Sequence, residues 1–407
     1  MPIMKAAPEL ELDVWRLRRE RYAKLQAQMA ADGLDALVLL HAPHVAYATD
    51  CLPRGADVTH VSATRPVAVV LADQTQPCLL GGDPDGLDVN PHPAVWPDIE
   101  EGAADLGAQL NAILGQHARG GRIGIDLMTG AMRRTGVLSG AEIADAANTM
   151  AAVKLHKTID ELACIHQAQV RTSAAMATVQ EALVPGVRRS ELAAVFLRRL
   201  REEGIDANMI DVIFQPMARR MADGPRTTTG HLAFPTWSGD PVYAEGDLIW
   251  VDAGSDYHGY ASDFGRTWTV GRWPTAAEQR CFLRWLVVMN AAYEAIAPGA
   301  TFAEVCAAAT AADAPHRPDG DRPWMPHFYL VHGVGIESAE MPFLGTDNGP
   351  DFDAAHTLEP GMVLVLEPAI WDDGTGGYRA EEIVAVTEDG WIPLGGGHPY
   401  DPFEVPR

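Results

Sequence analysis

The first 150 residues alternate amphipathic stretches with short apolar runs. A charged amphipathic helix is predicted over residues 11–32, where Asp32-Gly33 marks its end, and a second helix over about 103–116. Apolar runs predict buried strands at residues 36–40, 66–71 and 122–126. Strands that alternate with helices are typical of an α/β domain, which we expect to occupy residues 1–150.

The rest of the chain has a different order of elements. Apolar residues at intervals of three and four predict amphipathic helices over 158–183, 190–203, 275–297 and 301–312. Apolar runs of strand type occupy residues 246–254, 260–267, 327–335, 361–367, 377–386 and 391–394. This order of helices, hairpin, helices and strands predicts an α+β domain over residues 151–407, with helices on one side of a sheet. An internal duplication would give the same order, although no sequence repeat supports it.

The composition argues against some classes of binding partner. The 407 residues, 47% of them hydrophobic, can form two or three domains with real cores. The charge of 31 − 55 = −24 repels nucleic acid and anionic membranes, and it also helps to keep a protein in solution. No apolar run approaches the roughly 20 residues that cross a bilayer, and the amino terminus lacks the pattern of a signal peptide. The five cysteines are scattered, so we expect reduced thiols in a cytoplasmic protein.

Two aspartates stand in the apolar runs of the central hairpin. If Asp252 and Asp263 face each other, the midpoint of the pairing falls between Tyr257 and His258. Opposed side chains have Cβ atoms about 5 Å apart, and two like charges at that separation are destabilising. Either aspartate could be relieved at a solvent-exposed strand end, or by a nearby basic residue such as Arg266.

Three further side chains extend this pattern. His332 lies in the glycine-rich run 331–336, and Glu367 ends an apolar run. Placing Glu367 opposite Glu381 puts the midpoint of a second hairpin at Gly374. Four carboxylates and one histidine in apolar strands are too costly to bury ionised and unpaired. Two divalent cations would supply four positive charges, and two-metal sites activate water and polarise a substrate carbonyl.

Several short motifs follow one another in a fixed order in the second domain. They are Lys154-x-x-Lys157-Thr-x-Asp160-Glu161, Gly246-Asp247-Leu-x-x-x-Asp252-x-Gly254, Gly259-Tyr260-x-Ser-Asp263-x-x-Arg266-Thr267, Glu359-Pro-Gly361-Met362 and Arg379-x-Glu381. In this order they resemble the motifs of the pita-bread metalloenzymes. That family includes Xaa-Pro aminopeptidase, prolidase, methionine aminopeptidase, creatinase and dimethylsulfoniopropionate lyase. The resemblance implies a creatinase-like amino-terminal domain over residues 1–150 and a pita-bread catalytic domain over 151–407.

The resemblance also implies a set of metal ligands. Asp263 and Glu381 would bridge two divalent metal ions, and Asp252 would bind one of them. His332 and Glu367 would bind the other. Manganese is the expected metal, because oxygen-rich ligands suit hard or borderline cations, and cobalt, iron or zinc would also fit. The family's usual assembly leads us to expect a homodimer.

The expected catalytic residues are Glu367 as general base, together with Arg379 and His231. The family's peptidases carry two substrate-binding histidines, and the corresponding positions here are Ala339 and Pro235. His231 could replace the second of these if its loop takes another path, or it could be an ordinary loop residue. The loss of one oxyanion-stabilising donor costs about 100- to 1000-fold in rate. Four other residues are candidates to replace the missing donors: His327, Tyr329, Tyr257 and Tyr378. Each of them could equally be a core or rim residue.

Three functions are compatible with this pattern. We favour a dinuclear metal-dependent hydrolase, similar to Xaa-Pro aminopeptidase or dipeptidase, in which activated water attacks an amide of a small peptide-like substrate. A non-peptidase relative would use the same metals for β-elimination, as dimethylsulfoniopropionate lyases do, or for other C–N hydrolysis. Residues 224–227, Gly-Pro-Arg-Thr, resemble a loop of those lyases. A non-catalytic binding protein is disfavoured. Burying the carboxylate cluster is energetically costly, so mutation would remove these residues if catalysis did not require them.

Overall fold

The computed structural model of the chain describes residues 9–52, 65–205, 208–220, 240–316, 330–345 and 348–395. The chain divides into two compact units, one formed by Leu12–Lys154 and the other by Leu155–Arg407 together with Met1–Glu11. Within the described ranges, no helix is both long enough and apolar enough to cross a membrane.

The unit Leu12–Lys154 contains a six-stranded mixed sheet in the order β4-β3-β2-β1-β5-β6. Its strands are β1 (Ala36–Leu39), β2 (Val67–Leu71), β3 (Cys78–Leu80), β4 (Asn90–His92), β5 (Arg122–Ile125) and β6 (Glu142–Asp145). The helices described up to residue 155 are α1 (Val14–Asp32), α2 (Ala42–Thr49), α3 (Glu100–Leu114), α4 (Gly130–Thr135) and α5 (Ala146–Leu155). Strands β1 and β2 are buried along their whole length, which explains their continuous apolar runs in the sequence.

The first helix shows how local sequence sets its limits. Helix α1 begins after Asp13, whose side chain accepts hydrogen bonds from the amides of Trp15 and Arg16. It ends at Gly33, which has a left-handed backbone with φ 65°. The predicted end at Asp32-Gly33 is therefore confirmed.

The second unit begins with helices whose starts are capped by side chains. Its helices are α6 (Ile159–Ala182), α7 (Arg189–Glu202), α8 (Ala276–Ala295), α9 (Phe302–Asp313) and α10 (Pro350–Ala355). Reciprocal threonine–glutamate capping boxes open α6, α8 and α9, at Thr158/Glu161, Thr275/Glu278 and Thr301/Glu304. Each box satisfies two backbone N–H groups that the first turn of a helix leaves unpaired. The four predicted long helices are thus confirmed to within a few residues.

Within the described residues, the strands of this unit form two sheets and a separate hairpin. The strands are β7 (Asn208–Pro216), β8 (Leu248–Tyr257), β9 (Tyr260–Ala261), β10 (Phe264–Thr269), β11 (Val331–Gly333), β12 (Glu340–Leu344), β13 (Val363–Leu366), β14 (Ala369–Asp372), β15 (Gly376–Arg379), β16 (Glu382–Thr387) and β17 (Gly390–Pro393). One sheet has the order β10-β8-β7, with β9 paired to β8. The other has the order β12-β11-β13-β16-β17, and β14 pairs with β15. The single strand predicted over 377–386 is two strands, interrupted at Ala380 and Glu381.

Helix α8 packs on β14 and β15 and holds the carboxyl-terminal strands in place. Trp285 of this helix is fully buried, and its indole N–H donates to the carbonyl of Pro368 at 2.8 Å. Tyr378 lies 5.3 Å from the Trp285 ring, centroid to centroid. A large aromatic core therefore fixes the backbone next to Glu367.

Candidate metal centre

The central hairpin turns at His258-Gly259, where φ is 51° and 79°. Tyr257 pairs with Tyr260, and the same register places Asp252 opposite Gly265. The prediction that Asp252 directly faces Asp263 is therefore wrong. Two consecutive residues with positive φ form the kind of two-residue turn that matches the twist of paired strands, so the turn lies one residue later than predicted.

The two aspartates nevertheless share one face of the hairpin. Moving a pairing by two residues keeps the side chains on the same side, because side chains alternate along a strand. The carboxylates of Asp252, Asp263 and Glu381 each offer an oxygen, and these oxygens lie within 4.8 Å of one another. The two strands thus supply two members of a buried acidic cluster.

The second predicted hairpin has the register that the sequence suggested. Ala369 pairs with Arg379 and Leu366 pairs with Glu382, and both pairs share a midpoint at Gly374. The predicted midpoint is confirmed. Glu367 and Glu381 consequently occupy opposed positions in the gap between the β13–β16 and β14–β15 ladders.

Gly265 allows the two hairpins to approach each other. A Cβ atom on Gly265 would lie 2.5 Å from Cδ of Glu381 and 2.7 Å from its Oε1. The backbone N–H of Glu381 donates to the carbonyl of Gly265 at 3.0 Å, and the Arg379 N–H donates to Thr267 Oγ1 at 3.0 Å. The sequence patterns do not single out Gly265, although a glycine inside a buried strand is itself a sign of close approach.

His332 completes the cluster from strand β11. Its Nδ1 lies 2.8 Å from the carbonyl oxygen of Gly333, so this nitrogen must carry the proton and donate. Its Nε2 lies 3.2 Å from Oδ2 of Asp263 and 3.5 Å from Oε1 of Glu367. The backbone contact therefore turns the lone pair of Nε2 toward the carboxylates, as in histidines that bind metals.

Arg379 places a positively charged side chain within the carboxylate cluster. Its guanidinium contacts Asp252 Oδ2 at 3.1 Å and Glu367 Oε2 at 2.5 Å, and it forms an ion pair with Glu381. The alternative in which Arg266 relieves an aspartate is wrong, because Arg266 donates to the carbonyls of Gly265 and Glu381 and pairs with Glu382. When all four carboxylates are ionised, they and the guanidinium carry a formal charge of −4 + 1 = −3.

The donor set fits divalent metal ions. Oδ1 of Asp252, Oδ1 of Asp263 and Oε2 of Glu381 are buried and have no hydrogen-bond partner. Buried carboxylate oxygens without donors are costly, and a cation satisfies them directly. Carboxylates with one imidazole are the ligands that manganese and similar metals accept.

Burial also changes the protonation of these acids. It raises the pKa of the Asp263 carboxyl well above its usual range, and the charge of Asp252 raises that pKa further. Burial likewise raises the pKa of Glu381 well above its usual range, against the opposing effect of Arg379. The pKa of Asp252 is also raised by burial. Without metal, the cluster therefore tends to retain protons.

Loading the metal-free protein with Mn²⁺ is expected to release protons, and the number released per chain should rise as the pH is lowered. The carboxyls of Asp263 and Glu381 must lose the protons that burial makes them hold. Protons compete with the metal, so affinity should fall as the pH is lowered. Calorimetric titration in buffers of different ionisation enthalpy counts the protons, and Asp263→Asn should release fewer. Equal release by both proteins would contradict the assignment.

The positions implicated in substrate binding are only partly described. His231, Pro235, His327, Tyr329 and the 224–227 loop lie outside the described residues. Ala339 is exposed in the turn between β11 and β12, and the adjacent Glu340 is buried in an ion pair with Lys157, with Nζ and Oε1 2.7 Å apart. Tyr378 is a core residue, which was the alternative to a role as a replacement donor. Tyr257 stacks under the Arg171 guanidinium, 4.2 Å from the ring centroid.

Comparison with known proteins places this cluster in context. The profile of metallopeptidase family M24 matches residues 163–388. The chain is 29% identical over 257 residues to the uncharacterized peptidase YqhT of Bacillus subtilis, covering 62% of this chain and 66% of that protein. It is 30% identical over 239 residues to the Xaa-Pro dipeptidase of Pyrococcus furiosus, covering 58% and 62%. The matched region thus spans less than two thirds of the length of these curated relatives.

A solved structure extends the likeness to nearly the whole chain. The prolidase from Pyrococcus horikoshii OT3 superposes with a TM-score of 0.73, covering 95% of this chain and 100% of that one at 21% sequence identity. At that identity the likeness shows the fold alone. It confirms the predicted class, an α+β pita-bread domain preceded by a smaller α/β domain.

Proposed function

Because the chain belongs to metallopeptidase family M24, we propose that it is a metal-dependent hydrolase that cleaves an amide bond in a small Xaa-Pro-like peptide. The observation that carries the proposal is the buried cluster of Asp252, Asp263 and Glu381, with His332 facing it. The Xaa-Pro dipeptidase among the relatives supports the substrate class.

We propose that two divalent metal ions bind this cluster. Asp263 and Glu381 would hold both ions, Asp252 would hold one of them, and His332 and Glu367 would hold the other. With its four carboxylates ionised, the site including Arg379 has a formal charge of −3, so two divalent cations would bring it to −3 + 4 = +1 before any anion binds. When bound, the metals would supply an activated water and polarise the substrate carbonyl. Manganese is the proposed ion, because the ligands are mainly carboxylate oxygens.

Glu367 is the proposed general base. Arg379 holds Oε2 of Glu367 at 2.5 Å, which leaves Oε1, 3.5 Å from His332 Nε2, as the oxygen that accepts a proton. The same guanidinium binds Asp252 through its other terminal nitrogen, so it orients two carboxylates at once. Arg379 therefore has a positioning role, because a guanidinium stays protonated and cannot exchange protons.

A β-elimination of the dimethylsulfoniopropionate-lyase type is the second candidate. It is favoured by Ala339, an exposed methyl group where the peptidases of this family carry a substrate-binding histidine. An exposed alanine cannot donate a hydrogen bond to a developing oxyanion. The same metal cluster could serve either reaction, so the substrate decides between them.

A paired substrate assay tests the proposal. Protein loaded with Mn²⁺ is offered Xaa-Pro dipeptides and, separately, dimethylsulfoniopropionate, with chelator-treated protein as the control. We expect proline release that depends on added metal. Acrylate release without peptide turnover would establish the second candidate instead. The absence of bound manganese in elemental analysis after loading would contradict both.

We further propose that the protein is a cytoplasmic homodimer, in keeping with the assembly usual in this family. Light scattering during size-exclusion chromatography measures the mass of the assembly. A mass equal to that of a single chain would contradict the dimer.

A further inference from the structure

The backbone at Asp263 leaves the β-ladder. Strand β9 ends at Ala261 and β10 begins at Phe264, so Asp263 lies between two paired segments. Its amide N–H donates to Oε1 of Gln169 at 3.1 Å, and its carbonyl accepts from Nε2 of Gln169 at 2.8 Å. One side-chain amide therefore satisfies both backbone groups of this residue.

Gln169 belongs to a buried polar stripe on helix α6. The side chain is 1% exposed. Thr172 lies three residues later on the same face, and its Oγ1 is 2.6 Å from Ser255 Oγ and 2.7 Å from Ser262 Oγ. Ser262 Oγ also accepts the backbone N–H of Ser255 at 2.9 Å. Side chains of α6 thus hold residues 262–263, which lie between β9 and β10.

The position of the Asp263 carboxylate depends on this backbone anchor. An aspartate has a short side chain, so the direction of its carboxylate follows its backbone closely. Oδ2 lies 3.2 Å from Nε2 of His332, and Oδ1 has no hydrogen-bond partner. A shift of the Asp263 peptide would therefore move both oxygens away from His332, Asp252 and Glu381.

We propose that Gln169 is a positioning residue for the metal centre. By binding both backbone groups of Asp263, it sets the place of that carboxylate and hence the affinity for divalent metal. The inference rests on the proposed function, because it takes Asp263 as a metal ligand. Residues that orient metal ligands without touching the metal typically change metal affinity by about 10- to 100-fold.

The test compares cobalt binding by the full-length protein and two methionine variants. Gln169→Met keeps the length of the side chain but removes both hydrogen bonds to Asp263. Gln167→Met makes the same change on the same helix at a side chain that instead accepts from Arg171. Calorimetry with Co²⁺ gives the affinity, and the visible spectrum of bound cobalt reports ligand geometry. We expect Gln169→Met to weaken binding about 10- to 100-fold with an altered spectrum, and Gln167→Met to match the unmodified protein.

Circular dichroism of the metal-free proteins first establishes that each variant is folded. If Gln169→Met is unfolded, Gln169→Asn replaces it, because its amide stays polar but is one methylene too short to reach both groups. The inference is overturned if the folded variant binds Co²⁺ within about threefold of the unmodified protein with the same spectrum. Failure of the unmodified protein to bind cobalt would instead overturn the proposed function on which the inference rests.

Discussion

Asp263→Asn is expected to lower turnover of a proline dipeptide by the manganese-loaded protein about 1000-fold or more. The substitution removes a negative charge from the cluster and replaces one carboxylate oxygen with an N–H donor. Oδ2 lies 3.2 Å from Nε2 of His332, so an amide nitrogen at that place would occupy its lone pair. Metal-assisted stabilisation of the transition state is worth several kcal/mol, and each 1.36 kcal/mol is a factor of about ten.

The measurement is kcat/KM for dipeptide hydrolysis, together with the manganese content of each protein. Asp313→Asn is the matched control, because Asp313 is an equally buried aspartate whose partner is Arg284 on α8. It should lower stability without changing kcat/KM per folded molecule. Retention of more than about a tenth of the activity by Asp263→Asn would contradict the role of this carboxylate.

The helices could be predicted closely because their signals are local. The stretch predicted over 158–183 forms α6 as Ile159–Ala182, since the Thr158/Glu161 capping box marks its beginning within four residues of sequence. The buried strands β1 and β2 were equally visible, because burial on both faces requires a continuous apolar run.

The register of the central hairpin depends on the conformation of its turn, which the pattern of apolar residues does not specify. A left-handed conformation at His258 is uncommon for a residue with a side chain, so the sequence places a turn near this point without fixing its two central residues. By contrast, the glycine-rich segment around Gly374 offers an obvious turn, and the second hairpin has the predicted midpoint. Turn residues therefore decided which register could be predicted.

The charge balance of the site was the least predictable part. Arg266 is close to Asp263 in sequence, yet its guanidinium is directed to the carbonyls of Gly265 and Glu381. Arg379 reaches Asp252 across 127 positions of sequence, and Gln169 reaches Asp263 across 94. Such contacts arise from tertiary packing, and spacing along a single sequence cannot reveal them.

Gly265→Ala is expected to yield a folded protein with little metal-dependent activity. Gly265 has ordinary strand geometry, so alanine meets no backbone strain there. Its new Cβ would lie 2.5 Å from Cδ of Glu381, a distance that forces the carboxylate to move. The far end of a side chain moves more easily than backbone, so the cost falls on the position of Glu381 rather than on the fold.

A displacement of about 1 Å at a catalytic group lowers turnover on the order of 100-fold, and Gly265→Ala should show a loss of at least that size with weaker binding of manganese. The measurements are dipeptide turnover, metal affinity and the thermal midpoint of the metal-free protein. Gly107→Ala is the control, because its Cβ would meet only Val137 Cγ2 at 3.5 Å, and alanine favours the α3 helix by about 1 kcal/mol. That variant should keep full activity. Unchanged manganese affinity in folded Gly265→Ala would show that Glu381 is not held against this strand as the structure indicates, and so would remove it from the proposed bridging position.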